Sequence, residues 1–227
     1  MAQQPCGPAD PFWVPLFPLN LVLFPGMALP LHVFEPRYRE MIACCLQDNA
    51  PFGVVLVRPE SLYGLEVPYT IGTLARIKDY ERLPDGRYNI LTCGTHRFRI
   101  LQESRDRDYM RGLICPVLDE DESPDVLTAL AAEARAAFIA YLGVVLTLVG
   151  SEAREIAIPQ APADLSHTIG MCLTCEDSEK QKLLEMASTS ERLQAEIALL
   201  RAETQILSTQ TDALLVPKTD TNRARLN

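Results

Sequence analysis

The chain has 227 residues, 48% of them hydrophobic and 22% charged, a composition that fits one or two globular domains and excludes general disorder. Its 21 basic and 30 acidic side chains give a net charge of −9, which argues against a nucleic-acid binder that relies on clustered cations. Residues 1–117 carry twelve basic and twelve acidic side chains, so the whole negative excess lies in the second half. This asymmetry predicts two regions with different surfaces.

The start of the chain has neither the basic nor the apolar segment of a signal peptide. Seven cysteines without the spacing of a secreted disulfide framework indicate a reducing compartment with free thiols. The least polar stretch, residues 136–150, is shorter than the ~20 residues that span a bilayer, and is predicted to be the buried part of a helix. We therefore expect a cytoplasmic protein with no membrane contact.

The first half is predicted to be rich in strands. Strands are expected at 13–17, 21–24 and 28–33, where frequent prolines favour strand ends, edges and bulges. Glu35 and Pro36 predict the start of a helix, because proline at the first helical position loses only an N–H that has no intrahelical partner. The sequence Leu83-Pro84-Asp85-Gly86 predicts the turn of a hairpin. Further strands are expected at 52–57, 70–82, 87–95, 97–102 and 109–118.

In the strand at 97–102, alternation places Phe98 and Ile100 on one face and Arg97 and Arg99 on the other. The arginines between positions 97 and 111 are interleaved with acidic residues. They are therefore interpreted as a solvated face rather than an RNA-binding patch.

The second half is predicted to be helical. The acidic run at 119–122 marks the boundary, and Ser123 and Pro124 form a good N-cap and first helical position. Helices are expected at 124–149, 162–175, 178–187 and 190–214. The predicted organisation is therefore a flexible arm at 1–12, a β-rich subdomain at 13–118, a helical bundle at 119–215 and a disordered tail at 216–227.

The last predicted helix carries a heptad-like seam formed by Met186, Leu193, Ile197, Leu200, Leu207 and Leu214. Ser190, Thr204 and Thr211 interrupt it. One interpretation is an ordinary amphipathic helix that packs on its own bundle. The other is a weak homodimer formed through this helix, in which a second copy completes the part after Glu203.

The sequence Cys172-Leu-Thr-Cys175 has the spacing of a redox or zinc motif. Its predicted position well inside a helix, next to Glu176 and Asp177, disfavours a thiolate, and no second ligand pair stands at zinc spacing. The two cysteines are therefore expected to be buried small apolar groups. Signature motifs of hydrolases and phosphate-binding loops are missing as well. We expect no enzyme activity, no metal and no cofactor.

Two blocks of sequence resemble a known family. Residues 17–42, which include His-Val-Phe-Glu-Pro-Arg-Tyr-Arg, are similar to the first part of the Lon N-terminal domain. This motif also resembles the corresponding sequence of the Lon-like domain of cereblon. Residues 71–77, the turn at 83–87 and Gly-Thr-His-Arg-Phe-Arg-Ile at 94–100 resemble the second half of that domain. The resemblance implies an α+β fold, in which a PUA-like β-rich pseudo-barrel with one helix precedes a helical bundle.

In this family the domain recognises polypeptide substrates, while the ATPase and peptidase of Lon reside in further domains that have no counterpart here. The resemblance therefore implies a free-standing, non-catalytic module that binds a polypeptide or protein partner. The apolar segment at 29–34, beside a predicted helix, also provides a surface on which an extended peptide can bind. Binding of RNA or a small ligand in the PUA-like cleft is the alternative. The candidate partner-binding residues lie at the strand-to-helix junction: Phe34, Arg37, Tyr38 and Arg39.

For two of these junction residues a structural role is also open. Glu35 and Arg37 can instead form an ion pair that fixes the helix start. Tyr38 lies on the apolar stripe of the helix and is expected to belong to the core.

Overall fold

In a computed structural model, the structure describes residues 10–59, 67–150 and 158–215, with side chains as far as residue 209. The first half contains six strands and one helix: β1 (Phe12–Leu19), β2 (Ala28–Val33), α1 (Pro36–Gln47), β3 (Phe52–Leu56), β4 (Ile71–Arg82), β5 (Tyr88–Ser104) and β6 (Arg111–Pro116). Four helices follow: α2 (Pro124–Leu148), α3 (Pro162–Cys172), α4 (Asp177–Glu185) and α5 (Thr189–Leu215). The tail predicted at 216–227 and most of the arm predicted at 1–12 lie outside the described residues.

The strands form one mixed sheet in the order β2-β5-β4-β3-β1-β6, and β6 also pairs with β5. This extra pairing closes five strands into a ring, with β2 added outside it. Only β1 and β3 run parallel. The predicted α+β class is confirmed. The separate strands predicted at 87–95 and 97–102 are wrong, because β5 continues through both and its 17 residues pair with β2, β4 and β6.

The strand predicted at 21–24 is also wrong. This segment belongs to no strand, yet Val22, Leu23 and Phe24 are all buried. A turn follows in which Gly26 has a φ of +82° and donates its N–H to the Gly94 carbonyl at 2.9 Å. The apolar run at 22–24 therefore indicates a segment that is buried on both sides, and not a strand that pairs within the sheet.

Two helices begin at the prolines that predicted them, Pro36 and Pro124. By length and composition alone, α2 could cross a membrane, since its 25 residues include an 18-residue window with a mean hydropathy of 1.7. In the fold, 22% of this window is buried. Phe138 and Tyr141 are buried, whereas Ile139 is 54% exposed. The prediction of a buried helix is therefore correct for the face of α2 that carries Phe138 and Tyr141, and wrong for the face that carries Ile139.

A single apolar cluster joins the two halves of the protein. Its buried members from the first half include Phe24, Leu56 and Ile71, and those from the helices include Phe138, Leu165, Ile169, Leu193 and Leu200. A second cluster lies beneath α1 and holds that helix against the sheet through Tyr38, Met41 and Ile42. Because one core spans both halves, the strands and helices stabilise each other.

Arg97 departs from the solvated face predicted for it, since it is only 3% exposed. Its guanidinium donates to Asp119 Oδ1 at 2.7 Å and to the Leu184 carbonyl, near the C-terminus of α4, at 2.8 Å. Arg192 of α5 is fully buried and donates to the same Asp119 oxygen at 3.1 Å. We call these three residues the Asp119 cluster. It links β5, the segment before α2, and the helices.

The cysteine predictions hold in part. Cys44, Cys45, Cys93, Cys172 and Cys175 are free, whereas Cys115 is disulfide-bonded, so the expectation of free thiols is wrong there. Cys172 ends α3 and is exposed, so it is not the buried apolar group predicted from its spacing. Desolvation by the surrounding protein nevertheless raises the pKa of the Cys172 and Cys175 thiols, which disfavours a reactive thiolate.

Candidate functional site

The four candidate residues divide between the surface and the core. Phe34, directly after β2, is 59% exposed, whereas Tyr38 is 3% exposed and its ring stacks on Phe17 with centroids 4.2 Å apart. Arg37 and Arg39 are half-buried at the start of α1. The structure therefore places Tyr38 in the core, as its position on the apolar stripe suggested, and leaves Phe34 and the arginines at the surface.

Arg37 has a structural role at the start of α1. Its Nε lies 2.9 Å from Glu35 Oε2, and its guanidinium lies over the Tyr38 ring at 4.5 Å from the centroid. The ion pair considered as the structural alternative is thus present. It fixes the helix start beside the exposed Phe34.

A polar ladder next to Phe34 was missed by sequence reasoning. His32 Nδ1 lies 2.7 Å from Asn89 Oδ1, and Asn89 Nδ2 donates to Glu81 Oε2 at 3.1 Å. Arg87 donates to His32 Nε2 at 3.2 Å. The ladder crosses three strands, because His32 lies in β2, Asn89 in β5 and Glu81 in β4. These residues meet because the sheet register places His32 and Glu81 on either side of Asn89. Spacing along the chain carries no sign of this register.

The ladder borders an open groove of about 560 Å³, which we call the hairpin groove. Leu91 is 43% exposed at this groove, on the same sheet face as Asn89. The Phe34 ring lies 6.2 Å from the His32 ring, which continues the apolar surface toward α1. Its lining residues are Pro30, Leu31, His32, Asp79, Tyr80, Glu81, Asn89, Ile90 and Leu91.

A smaller open groove of about 290 Å³ separates α1 from the β4–β5 turn, and we call it the α1 groove. Arg39 reaches across to the turn, where its Nη1 donates to the Asp85 carbonyl at 3.2 Å. Gly86 has a φ of +82°, so the predicted turn depends on a conformation that glycine adopts readily. The groove is lined by Pro36, Arg39, Glu40, Ala43, Arg82, Gly86 and Tyr88.

The chemistry available at these grooves is that of noncovalent recognition. Exposed aromatic and aliphatic side chains stand beside guanidinium, carboxylate and amide groups. Within residues 10–59, 67–150 and 158–215, no group of three or more His, Cys, Asp and Glu side chains could hold a metal ion. Such a surface can bind a polypeptide that has apolar and charged side chains close together.

Comparisons with known proteins agree on one family. The family model of the ATP-dependent protease La (LON) substrate-binding domain matches residues 13–202. A Lon protease of Bacillus thuringiensis is 26% identical over 201 residues, covering 86% of this chain and 25% of the relative. The Lon protease of Escherichia coli K12 is 26% identical over 204 residues, covering 87% and 26%. The chain thus spans about a quarter of the length of the curated relatives it matches.

Two solved structures are similar as well. A Lon N-terminal domain protein from Xanthomonas campestris has 25% identity and a TM-score of 0.59, and the match covers 82% of this chain and 98% of that one. The N-terminal domain of a Mycobacterium avium complex Lon protease has 18% identity and a TM-score of 0.64, with 84% and 98% covered. The second likeness supports the fold alone.

Proposed function

The chain belongs to the family of Lon substrate-binding domains, and we propose that it is a non-catalytic cytoplasmic module that recognises polypeptide clients or a protein partner in quality control. The observation that carries this proposal is the pair of exposed apolar side chains Phe34 and Leu91, at 59% and 43% exposure, on the face of the sheet that carries the polar ladder. Apolar side chains of this size on a sheet bordered by polar groups are typical of a binding surface. The substrate-binding family supports the polypeptide as ligand.

The binding surface is tested by replacing Phe34 and Arg39 with alanine together. Phe34 provides an exposed aromatic contact and Arg39 a charge in the α1 groove, so the double variant should bind a labelled unfolded casein about tenfold more weakly. Fluorescence anisotropy measures the affinity. The control variant replaces Leu101 and Arg76, an exposed apolar residue and an exposed arginine outside both grooves. Unchanged binding by the Phe34 and Arg39 variant would contradict this placement.

The non-catalytic proposal predicts that the purified chain hydrolyses neither ATP nor unfolded casein. The family match is to the substrate-binding domain, and the sequence lacks the glycine-rich phosphate loop and the serine motifs of known hydrolases. Phosphate release and peptide release are the measurements. Either activity would overturn the proposal if a point substitution in this chain abolished it.

We also propose a weak homodimer through α5. Leu193, Ile197 and Leu200 are buried in the chain's own core, as expected. Internal packing continues past Leu200, since Glu203 Oε2 accepts from the Thr174 N–H at 3.2 Å and Leu207 packs on the same core. Among the side chains of α5 that the structure describes, Ile206 is a large apolar one that is 58% exposed, so it is available to a second copy.

The homodimer predicts a sedimentation coefficient that rises with protein concentration. Truncation after Leu200 should abolish this rise, as should Ile206→Asp, which leaves the internal contacts of Glu203 and Leu207 in place. Sedimentation velocity with circular dichroism measures assembly and folding. A full chain that stays monomeric at every concentration would contradict the proposal, as would dimerisation of the Ile206→Asp variant equal to that of the wild type.

A further inference from the structure

The α1 groove contains two arginines, and the β4–β5 turn anchors one of them. The Arg39 guanidinium lies close to Gly86, where an added Cβ would approach Nη1 to 3.6 Å, and it is anchored to the Asp85 carbonyl. The Arg82 guanidinium stands 5.9 Å from the centroid of the buried Tyr88 ring. Arg39 is therefore positioned before any ligand arrives, and the exposed Arg82 lines the same groove.

Nearby carboxylates do not neutralise these arginines. Asp85 is paired with Arg87, whose Nε lies 2.6 Å from Asp85 Oδ2, and the hydrogen bond from the Arg87 N–H holds the pKa of this carboxyl below its usual range. Among the described residues, the acceptor for the Arg39 guanidinium is the Asp85 backbone oxygen. Glu40 lines the same groove, but among the described residues it forms no ion pair with Arg39 or Arg82.

The groove thus has two cations and one anion in its lining, and most of the guanidinium donors stay available. A guanidinium carries five N–H donors in a planar fork that matches the two oxygens of a carboxylate. Arg39 uses one donor on a carbonyl, and Arg82 makes a contact with a ring face. Charge complementarity therefore favours an anionic group here, although the whole chain has a net charge of −9.

We propose that the α1 groove binds a side-chain carboxylate of the client, so that the module prefers segments in which aspartate or glutamate stands near an apolar residue that contacts Phe34. The inference rests on the proposed function and names its substrate class. Pro36 lines the groove two residues after Phe34, so one short segment reaches both. The groove is open rather than closed at one end, which suits a residue within a chain better than a chain terminus.

The test uses two fluorescein-labelled peptides that share two leucines and a phenylalanine and have a blocked C-terminus. One carries two glutamates beside the apolar residues, and the other carries glutamines in their place. Wild type should bind the glutamate peptide about fivefold more tightly, the size expected for exposed ion pairs. Arg39→Gln with Arg82→Gln should remove this preference and its salt dependence, so that the variant binds the glutamate peptide no more tightly than the glutamine peptide.

Two further variants separate charge from folding. Arg76→Gln removes an exposed arginine of the same strand β4 outside the groove and should keep the full preference. Arg39→Lys with Arg82→Lys retains the charges but not the fork, so it should restore part of the preference. Circular dichroism checks that each variant is folded.

The outcomes distinguish the two proposals. If wild type binds neither peptide, the proposed function fails together with this inference. If both peptides bind equally, or if the glutamine substitutions leave the preference intact, only this inference fails. Equal or tighter binding of a glutamine peptide with a free C-terminus would assign the groove to chain ends instead. Competition by a single-stranded RNA that depends on the same arginines would assign it to phosphate.

Discussion

Replacing Asp119 with alanine should lower the free energy of unfolding by about 3 kcal/mol, because two buried guanidiniums lose their shared carboxylate. Arg97 and Arg192 have side chains that are 2% and 0% exposed, so water cannot replace the lost partner. Arg97 would keep carbonyl acceptors near the end of α4, and Arg192 would keep Ser166 Oγ at 2.6 Å. Because the Asp119 side chain is 31% exposed, the loss should lie at the low end of the range for buried pairs.

Urea denaturation of wild type and variant measures this effect. Asp119→Asn keeps an acceptor oxygen for both arginines and removes only the charge, so it should lose about half as much. Asp121→Ala removes an exposed aspartate from the same segment, and its stability should stay within about 0.5 kcal/mol of wild type. Equal stability of the Asp119→Ala and Asp121→Ala variants would show that the cluster does not hold the two halves together.

Acid should destabilise the protein through His167. Burial, reinforced by the charges of Arg192 and Arg97, lowers the pKa of this imidazole from 6.5 to about 3. The unfolded chain therefore takes up a proton below pH 6.5 that the folded chain does not bind until about pH 3. Stability is fully present above pH 6.5 and falls as the pH decreases toward 3, with a loss of about 2 kcal/mol at pH 5.

The His167→Gln variant isolates this contribution, because glutamine does not titrate. Asp119 also faces His167, and Glu196 reaches the same network through Ser166 Oγ, 2.9 Å from Glu196 Oε1. Burial raises the pKa of Glu196, so its own contribution increases stability on acidification, opposite in sign. Since Glu196 is common to both proteins, urea denaturation from pH 7 to 5 should show wild type losing about 2 kcal/mol more than the variant. Parallel curves would exclude the His167 contribution.

Local chemistry explains which parts of the fold were predictable. Pro36 and Pro124 mark their helix starts because a proline sets its own φ, and Gly86 marks the β4–β5 turn because its φ is positive. The conformation of residues 21–24 was not predictable from the sequence. Their apolar side chains pack into the core on both sides of the chain, although the segment pairs with no strand. The continuity of β5 depends on three partner strands that are distant in sequence.

The exposure of a candidate site residue was predictable only where it depends on the residue's position along a single strand or helix. Phe34 follows the buried Val33 at the end of β2 and points outward, as alternation suggests. Arg97 obeys the same alternation but is buried, because the C-terminal end of α4 and the residue after it cover its guanidinium. The Arg39 contact with Asp85 joins residues 46 positions apart, and only the folded sheet brings them together.

The ring of strands also constrains how the protein folds during its synthesis. Phe12 of β1 pairs with Ile114 of β6, so β1 leaves the ribosome before β6, its partner in the ring, has been made. At translation rates of roughly 5–20 residues per second, the intervening hundred residues take about 5–20 s. Throughout this interval β1 is an apolar strand without its final partner. Pro15 and Pro18 interrupt its row of N–H donors, which limits the pairing of nascent chains on the same messenger with one another.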